Sequence, residues 1–232
     1  MTEERYTSPG GVESAIRDAA RRATAVDPSI STGDRITQEY FRRFLSRVFS
    51  EADLSGWLLK GGTGVLARVG SARATIDVDL FRKDLSLEYA LDDLRRLAAI
   101  DLGDFFQFEY TGHTESIGGQ QTYSEGYRVG FDVYIGANKR GHLNVDMVVN
   151  AVITDEPTVK PPANRLDIPR LPSRDYRLYP VVDQIADKVC ATLTTYGGKP
   201  SSREWDLVDL VVLATTQDVD ADKLHRALLG KR

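Results

Sequence analysis

Hydrophobic positions along the chain switch between a helical and an alternating period, and those switches outline its elements. Val12 to Ala25 is amphipathic and rich in arginine, which predicts a surface helix. Ile36, Tyr40, Phe44, Leu45 and Val48 recur at near-helical spacing and predict a second helix over Ile36 to Ser50, with Arg42, Arg43 and Arg47 on its solvated face. Trp57 to Lys60 reads as a short strand that runs into Gly61-Gly62-Thr63-Gly64. A helix start at Val65 to Val69 and a strand from Thr75 to Phe81 follow. Leu87, Leu91, Leu94 and Leu97 share one face of a helix over Ser86 to Ile100, with Ser86 as its cap. Phe105 to Tyr110, Tyr127 to Ile135 and His142 to Val149 alternate as strands, the last two joined by a hairpin connection, Gly136 to Gly141. Together these predict a mixed sheet flanked by helices.

The texture changes between Asp155 and Tyr179. Pro157, Pro161, Pro162, Pro169 and Pro172 punctuate this stretch, alongside Arg165, Arg170, Arg174 and Arg177, and such proline density predicts an extended connection. Helical spacing returns over Val181 to Thr195, with Pro180 suited to the first turn and Ile185, Val189 and Leu193 as the buried stripe. It continues over Arg203 to about Thr215, where Leu207, Leu210, Val211 and Ala214 supply the apolar face, and over Asp220 to Leu229. The expected organisation is an α+β chain: a core over residues 1–155, a Pro/Arg-rich connection over 156–179 and a smaller helical domain over 180–232.

Composition narrows the class. A formal net charge of −4 gives no global attraction to nucleic acid, so any such binding needs a local basic patch. The single cysteine, Cys190, excludes an internal disulfide framework and a Cys-rich zinc site and fits a reducing cytosol. No apolar run approaches the roughly 20 residues that span a bilayer, and the first residues lack the order of a secretory signal. The expectation is a soluble cytoplasmic protein with no membrane partner.

One stretch departs from ordinary patterning. Asp77 and Asp79 lie two apart on an apolar strand, so both point to one face, where repulsion and desolvation oppose them. A hard divalent cation resolves the conflict, and Asp146, another carboxylate among apolar strand residues, would complete a metal set suited to displacement at phosphorus. The alternative is that each aspartate pairs with an arginine, Asp79 with Arg73 or Arg82. The glycines of Gly61-Gly62-Thr63-Gly64 permit close approach of phosphate oxygens to backbone amides, though no Lys-Ser/Thr follows and this is not a Walker loop. Lys188 reads either as a cation for a triphosphate or as a surface lysine paired with Asp187 or Asp183. Arg203, Asp206 and Asp209 recur every three residues as a polar stripe. His113, His142 and His225 show no ligand spacing, and no Ser or Cys nucleophile constellation is visible.

These pieces, in this order, resemble the AbiEii/AbiGii family of nucleotidyltransferase toxins, including its mycobacterial tRNA-modifying members. The family's Gly-Gly, spacer, Asp-x-Asp signature is matched by Gly61-Gly62-Thr63 and Asp77-Val78-Asp79, with Arg73 and Thr75 in place. Its helix carrying a lysine is matched by Tyr179-Pro180 through Asp183-Gln184-Ile185-Ala186-Asp187-Lys188, and its later acidic element by Arg203-Glu204-Trp205-Asp206-Leu207-Val208-Asp209-Leu210. The resemblance implies a polymerase-beta-like nucleotidyltransferase core followed by a helical domain. It further implies transfer of a nucleoside monophosphate from a nucleoside triphosphate with Mg2+, or Mn2+ in its place, an acceptor at the 3′ end of tRNA, and a cognate antitoxin. On this reading Asp77, Asp79 and Asp146 hold metal, and Gly61, Gly62, Thr63, Arg73, Lys188 and Asp209 meet the nucleotide. Asp206 or Asp209 positions Lys188, and the arginines from Arg165 to Arg177, with Lys199, face the RNA backbone. Transfer to a protein or to a small molecule such as an aminoglycoside, and a nucleotide-binding regulatory module without turnover, stand as alternatives.

Overall fold

Seven strands form one mixed sheet in the order β3-β4-β5-β2-β1-β7-β6. The computed structural model describes residues 5–51, 55–70, 75, 77–115, 126–163, 165–171, 173–195 and 203–231. The strands are β1 (Trp57–Leu59), β2 (Asp77–Arg82), β3 (Phe106–Glu115), β4 (Gly126–Ile135), β5 (Asn138–Val148), β6 (Thr158–Lys160) and β7 (Tyr176–Leu178). The centre of the sheet breaks the hairpin order, because β2 pairs parallel with β5 on one side and antiparallel with β1 on the other. The 156–179 stretch supplies the last two strands on one side of the sheet, β7 pairing parallel with β1 and antiparallel with β6, which forms that edge.

Helices α1 (Pro9–Val26), α2 (Thr32–Val48) and α4 (Leu87–Ala98) contribute to the main apolar core against one sheet face, with Val78, Leu80, Val129, Phe131, Val145 and Met147. Ser8 and Ser31 cap α1 and α2 by accepting hydrogen bonds from backbone amides of the first turn. Ser86 precedes α4 in the cap position, but its hydroxyl donates to the Glu88 side chain and caps no amide.

The arginines of α2 correct the expected solvated face. Arg42, Arg43 and Arg47 are buried, and Arg47 has no solvent exposure. Glu39 pairs with Arg42 and Arg43 at 3.1 and 2.9 Å, while Arg47 grips Asp104 through both guanidinium nitrogens at 3.1 and 2.6 Å and donates to the Phe106 carbonyl. Arg43 also reaches the Leu171 carbonyl and the Ser173 hydroxyl. Guanidinium groups with a fork of donors can be buried where acids and carbonyls meet them, and here they tie α2 to the start of β3 and to the connection.

Beyond the connection, α5 (Val181–Leu193) packs on α6 (Glu204–Thr216) and α7 (Ala221–Gly230). The expected faces of the first two are also corrected. Leu207 and Val211 are exposed whereas Asp209 and Leu213 are buried, and Leu193 of α5 is exposed although Asp183 to Lys188 are all buried. The physical reason is Lys188, which draws the α6 carboxylates inward as described next.

Candidate active site

Asp77 and Asp79 lie on the sheet face opposite the main core, and parallel register sets Asp79 directly against Asp146 and Asp77 against Asn144. Their neighbours Val78, Leu80, Val145 and Met147 are buried in the core, so one face of β2 and β5 anchors the charges carried by the other. Arg82 does not neutralise Asp79; it pairs with Asp93 at 3.2 Å. Arg73 lies outside the described residues. No hydrogen bond or ion pair meets the Asp79 carboxylate among the described residues, and its pKa is pushed up to about 7. Burial is the main cause and the Asp146 charge the next, against the pull of Lys60 and Lys188. Asp146 is also raised, by burial and Asp77, with the nearby Arg128 opposing.

Gly61-Gly62-Thr63-Gly64 is the first turn of a helix, α3 (Gly61–Arg68), which therefore begins four residues before the expected start at Val65. Its early amides have no intrahelical partners by geometry, and they lie beside β2. Gly61 sits at φ +57°, and a Cβ there would fall 2.1 Å from Oδ2 of Asp79, so the carboxylate lies against bare backbone. The Thr63 hydroxyl donates to the Asp77 carbonyl at 2.7 Å, which holds α3 to β2. Gln184 of α5 donates to the Gly61 carbonyl at 2.7 Å.

Lys188, one turn on from Gln184, is buried and donates to Asp206 at 2.7 Å and Asp209 at 2.8 Å. It pairs with neither Asp183 nor Asp187. Arg203 lies 3.4 Å from the second oxygen of Asp206, completing the stripe read along α6. Gln184 bonds Gly61, which lies against Asp79, and Lys188 follows one turn later with Asp206 and Asp209, so β2, β5, α3, α5 and α6 converge on one region.

Three residues here receive no role from the sequence alone, although Gln184 lies within the lysine-bearing helix motif. Arg128 of β4, opposite Asp146 in antiparallel register, donates to Asp77 at 2.8 Å and to both Asp146 oxygens at 3.3 Å. Lys60 lies 3.5 Å from Asp187 and over the Tyr179 ring, next to the Gly turn. Gln184 is the third. Arg128 sits on the polar side of an alternating strand, which marks it as outward-facing but not as a neighbour of Asp77, 51 positions away.

Among the described residues no group of three or more His, Cys, Asp and Glu is closed at metal-ligand spacing. The donor chemistry nevertheless fits a hard cation. The acidic groups on β2 and β5 are all carboxylates, and the most strongly raised, Asp79, makes no direct ion pair among the described residues.

The family model for the nucleotidyl transferase AbiEii toxins of Type IV toxin–antitoxin systems matches residues 43–232. Among solved structures, the nucleotidyltransferase toxin MenT4 of Mycobacterium tuberculosis superposes with a TM-score of 0.62 at 15% identity, over 92% of this chain and 68% of that one. JHP933 of Helicobacter pylori matches with a TM-score of 0.47 at 18% identity, over 81% and 68% of the two chains. ANT(2")-Ia in complex with adenylyl-2"-tobramycin gives 0.42 at 17% identity, over 84% and 97%. No curated protein sequence matches the chain.

Proposed function

Since the chain belongs to the AbiEii nucleotidyltransferase toxin family, we propose that it is a metal-dependent enzyme that moves a nucleoside monophosphate from a nucleoside triphosphate to the 3′ end of tRNA. The observation that carries the proposal is the register of β2 against β5, which sets Asp79 beside Asp146 with the Lys188 cluster facing them.

Asp77, Asp79 and Asp146 would hold Mg2+, or Mn2+ in its place. A bound divalent ion neutralises phosphate charge and orients the reacting oxygens of an in-line displacement. The amides of Gly61 and Gly62 open the N-terminus of α3 toward an anionic group, and Thr63 fixes that terminus on β2. Lys188 supplies positive charge beside Asp79, while Asp206 and Asp209 keep its ammonium in place. Asp146 would accept the proton of an acceptor hydroxyl, its raised pKa favouring proton uptake. Arg165, Arg170 and Arg174 are exposed, but Arg170 and Arg174 border a cavity with Arg43 and Asp104 on the sheet face away from Asp79, so they suit only backbone phosphates of an RNA acceptor remote from the reacting end. Arg177 is engaged by the Ser55 carbonyl and Lys199 lies outside the described residues. On this proposal the protein acts in the cytoplasm beside a cognate antitoxin, the partner that a toxin–antitoxin family implies; no helix among the described residues is long and apolar enough to cross a membrane.

The test is to incubate the purified protein with each labelled nucleoside triphosphate, Mg2+ and total tRNA, then sequence tRNA 3′ ends. Label on tRNA that disappears in Asp79→Ala supports the proposal. Transfer that persists unchanged in Asp79→Ala, or that goes to protein alone, refutes it.

A further inference from the structure

The Arg128 guanidinium lies across two of the three carboxylates assigned to metal. One nitrogen is 2.8 Å from Asp77 Oδ1 and the other is 3.3 Å from each oxygen of Asp146. The other nearby cations are engaged elsewhere, Lys60 with Asp187 and Lys188 with Asp206 and Asp209. Arg128 is therefore the cation that directly bonds these acids among the described residues. Its side chain is 44% exposed, so it can swing into solvent without disturbing the core. A carboxylate lone pair that accepts an N–H bond is not available to a metal ion at the same moment.

Resting on the metal reading above, we propose that Arg128 is a resident counter-ion that a divalent cation must displace from Asp77 and Asp146. Free metal then binds weakly, because each binding event breaks the two-carboxylate bridge. A nucleoside triphosphate changes the balance, since its phosphates offer the released guanidinium a replacement anion. Metal and nucleotide therefore favour each other's binding, and the coupling is reciprocal. Arg128 acts through the carboxylates as a positioning residue that makes the metal site answer to nucleotide.

The experiment titrates Mn2+ into wild type, Arg128→Gln and Asp79→Asn, reading free Mn2+ by electron paramagnetic resonance, with and without a non-hydrolysable nucleoside triphosphate. Without nucleotide, Arg128→Gln binds Mn2+ on the order of tenfold tighter than wild type, within the usual range of coupling between sites. The gain in affinity on adding nucleotide shrinks in the same variant. Arg128→Lys keeps the charge but cannot bridge both acids, and it falls between the two; it also serves should the glutamine variant fold poorly, which circular dichroism reports. Equal or weaker Mn2+ binding by folded Arg128 variants overturns this inference and leaves the metal reading standing. No Mn2+ binding by any of the proteins, with or without nucleotide, overturns both.

Discussion

Replacing Gly61 with alanine isolates the contact between the α3 terminus and Asp79. The new Cβ would stand 2.1 Å from Oδ2, 2.3 Å from Cγ and 2.7 Å from Cβ of Asp79, whereas ordinary contact begins at 3.4 Å, a shortfall of about 1.3 Å. Either the carboxylate moves by that much or the start of α3 retreats from β2. A displacement of about 1 Å in a reacting group costs on the order of 100-fold in rate. The backbone adds its own strain, since φ of +57° costs an L-residue about 1–2 kcal/mol. For a chain of this size that strain lowers Tm by roughly 2–8 °C. The expected result is thus a protein that still folds, with nucleotidyl transfer reduced at least about 100-fold. Labelled-nucleotide transfer and scanning calorimetry on the same preparation measure both. Gly141→Ala is the control: no atom lies within 4 Å of its added Cβ and its φ is not positive, so neither quantity moves. Transfer by Gly61→Ala within about threefold of wild type, from a folded protein, would show that Asp79 does not act from the position described.

Three further outcomes follow from the same geometry. Asp79 titrates at about 7 in the fold against 3.8 as an ordinary carboxyl, so its contribution to stability is complete below pH 3.8 and is lost as pH rises through 7; with chelator present, Asp79→Asn should melt several degrees above wild type at pH 8 and level with it near pH 4. Lys188→Met removes the ammonium shared by Asp206, which keeps Arg203, and the buried Asp209, at a cost of about 3–5 kcal/mol; melting temperature should drop sharply and recover in part in Lys188→Met/Asp209→Asn. Arg47→Met leaves Asp104 buried without its bidentate partner and should cost a similar ~3–5 kcal/mol in denaturant unfolding, with transfer per folded molecule unchanged because the pair lies on the sheet face away from Asp79.

Much of the sheet was legible because alternation is a local property. The strand ending in Ile135 is where the period-two pattern places it, whereas the strand expected from His142 begins at Asn138 and reduces the expected Gly136 to Gly141 connection to Gly136-Ala137. Asp77-Val78-Asp79 announces itself by breaking the pattern within three residues. The partner of Asp79 is harder to see. Parallel pairing needs a long crossover, and the 66 positions between Asp79 and Asp146 contain a helix and two strands that pair with each other. Only the likeness of Asp146 to Asp79, a carboxylate in an apolar strand, hints that the two meet. Arg128 offers no such hint, since an arginine on the polar side of a strand is common and its bond to Asp77 depends on the whole order β4-β5-β2.

The helices failed in a more instructive way. In α2 and α6 the hydrophobic period locates the helix correctly but assigns its charges to solvent, yet Arg42, Arg43 and Arg47 of α2 and Asp209 of α6 are buried and Asp206 is half-buried. Hydropathy treats each charged residue alone, whereas burial depends on whether an opposite charge arrives from another element. Glu39 and Asp104 arrive for the α2 arginines, and Lys188 arrives for Asp206 and Asp209. Asp79 differs from all of these: no ion pair meets it among the described residues, and its raised pKa reports that deficit. A buried charge with its partner present is sufficiently explained by folding. A partly buried carboxylate set between two others, on strands whose opposite face is fixed in the core, is not, and this is the physical ground for placing the chemistry at Asp79 and the supporting architecture at Arg47.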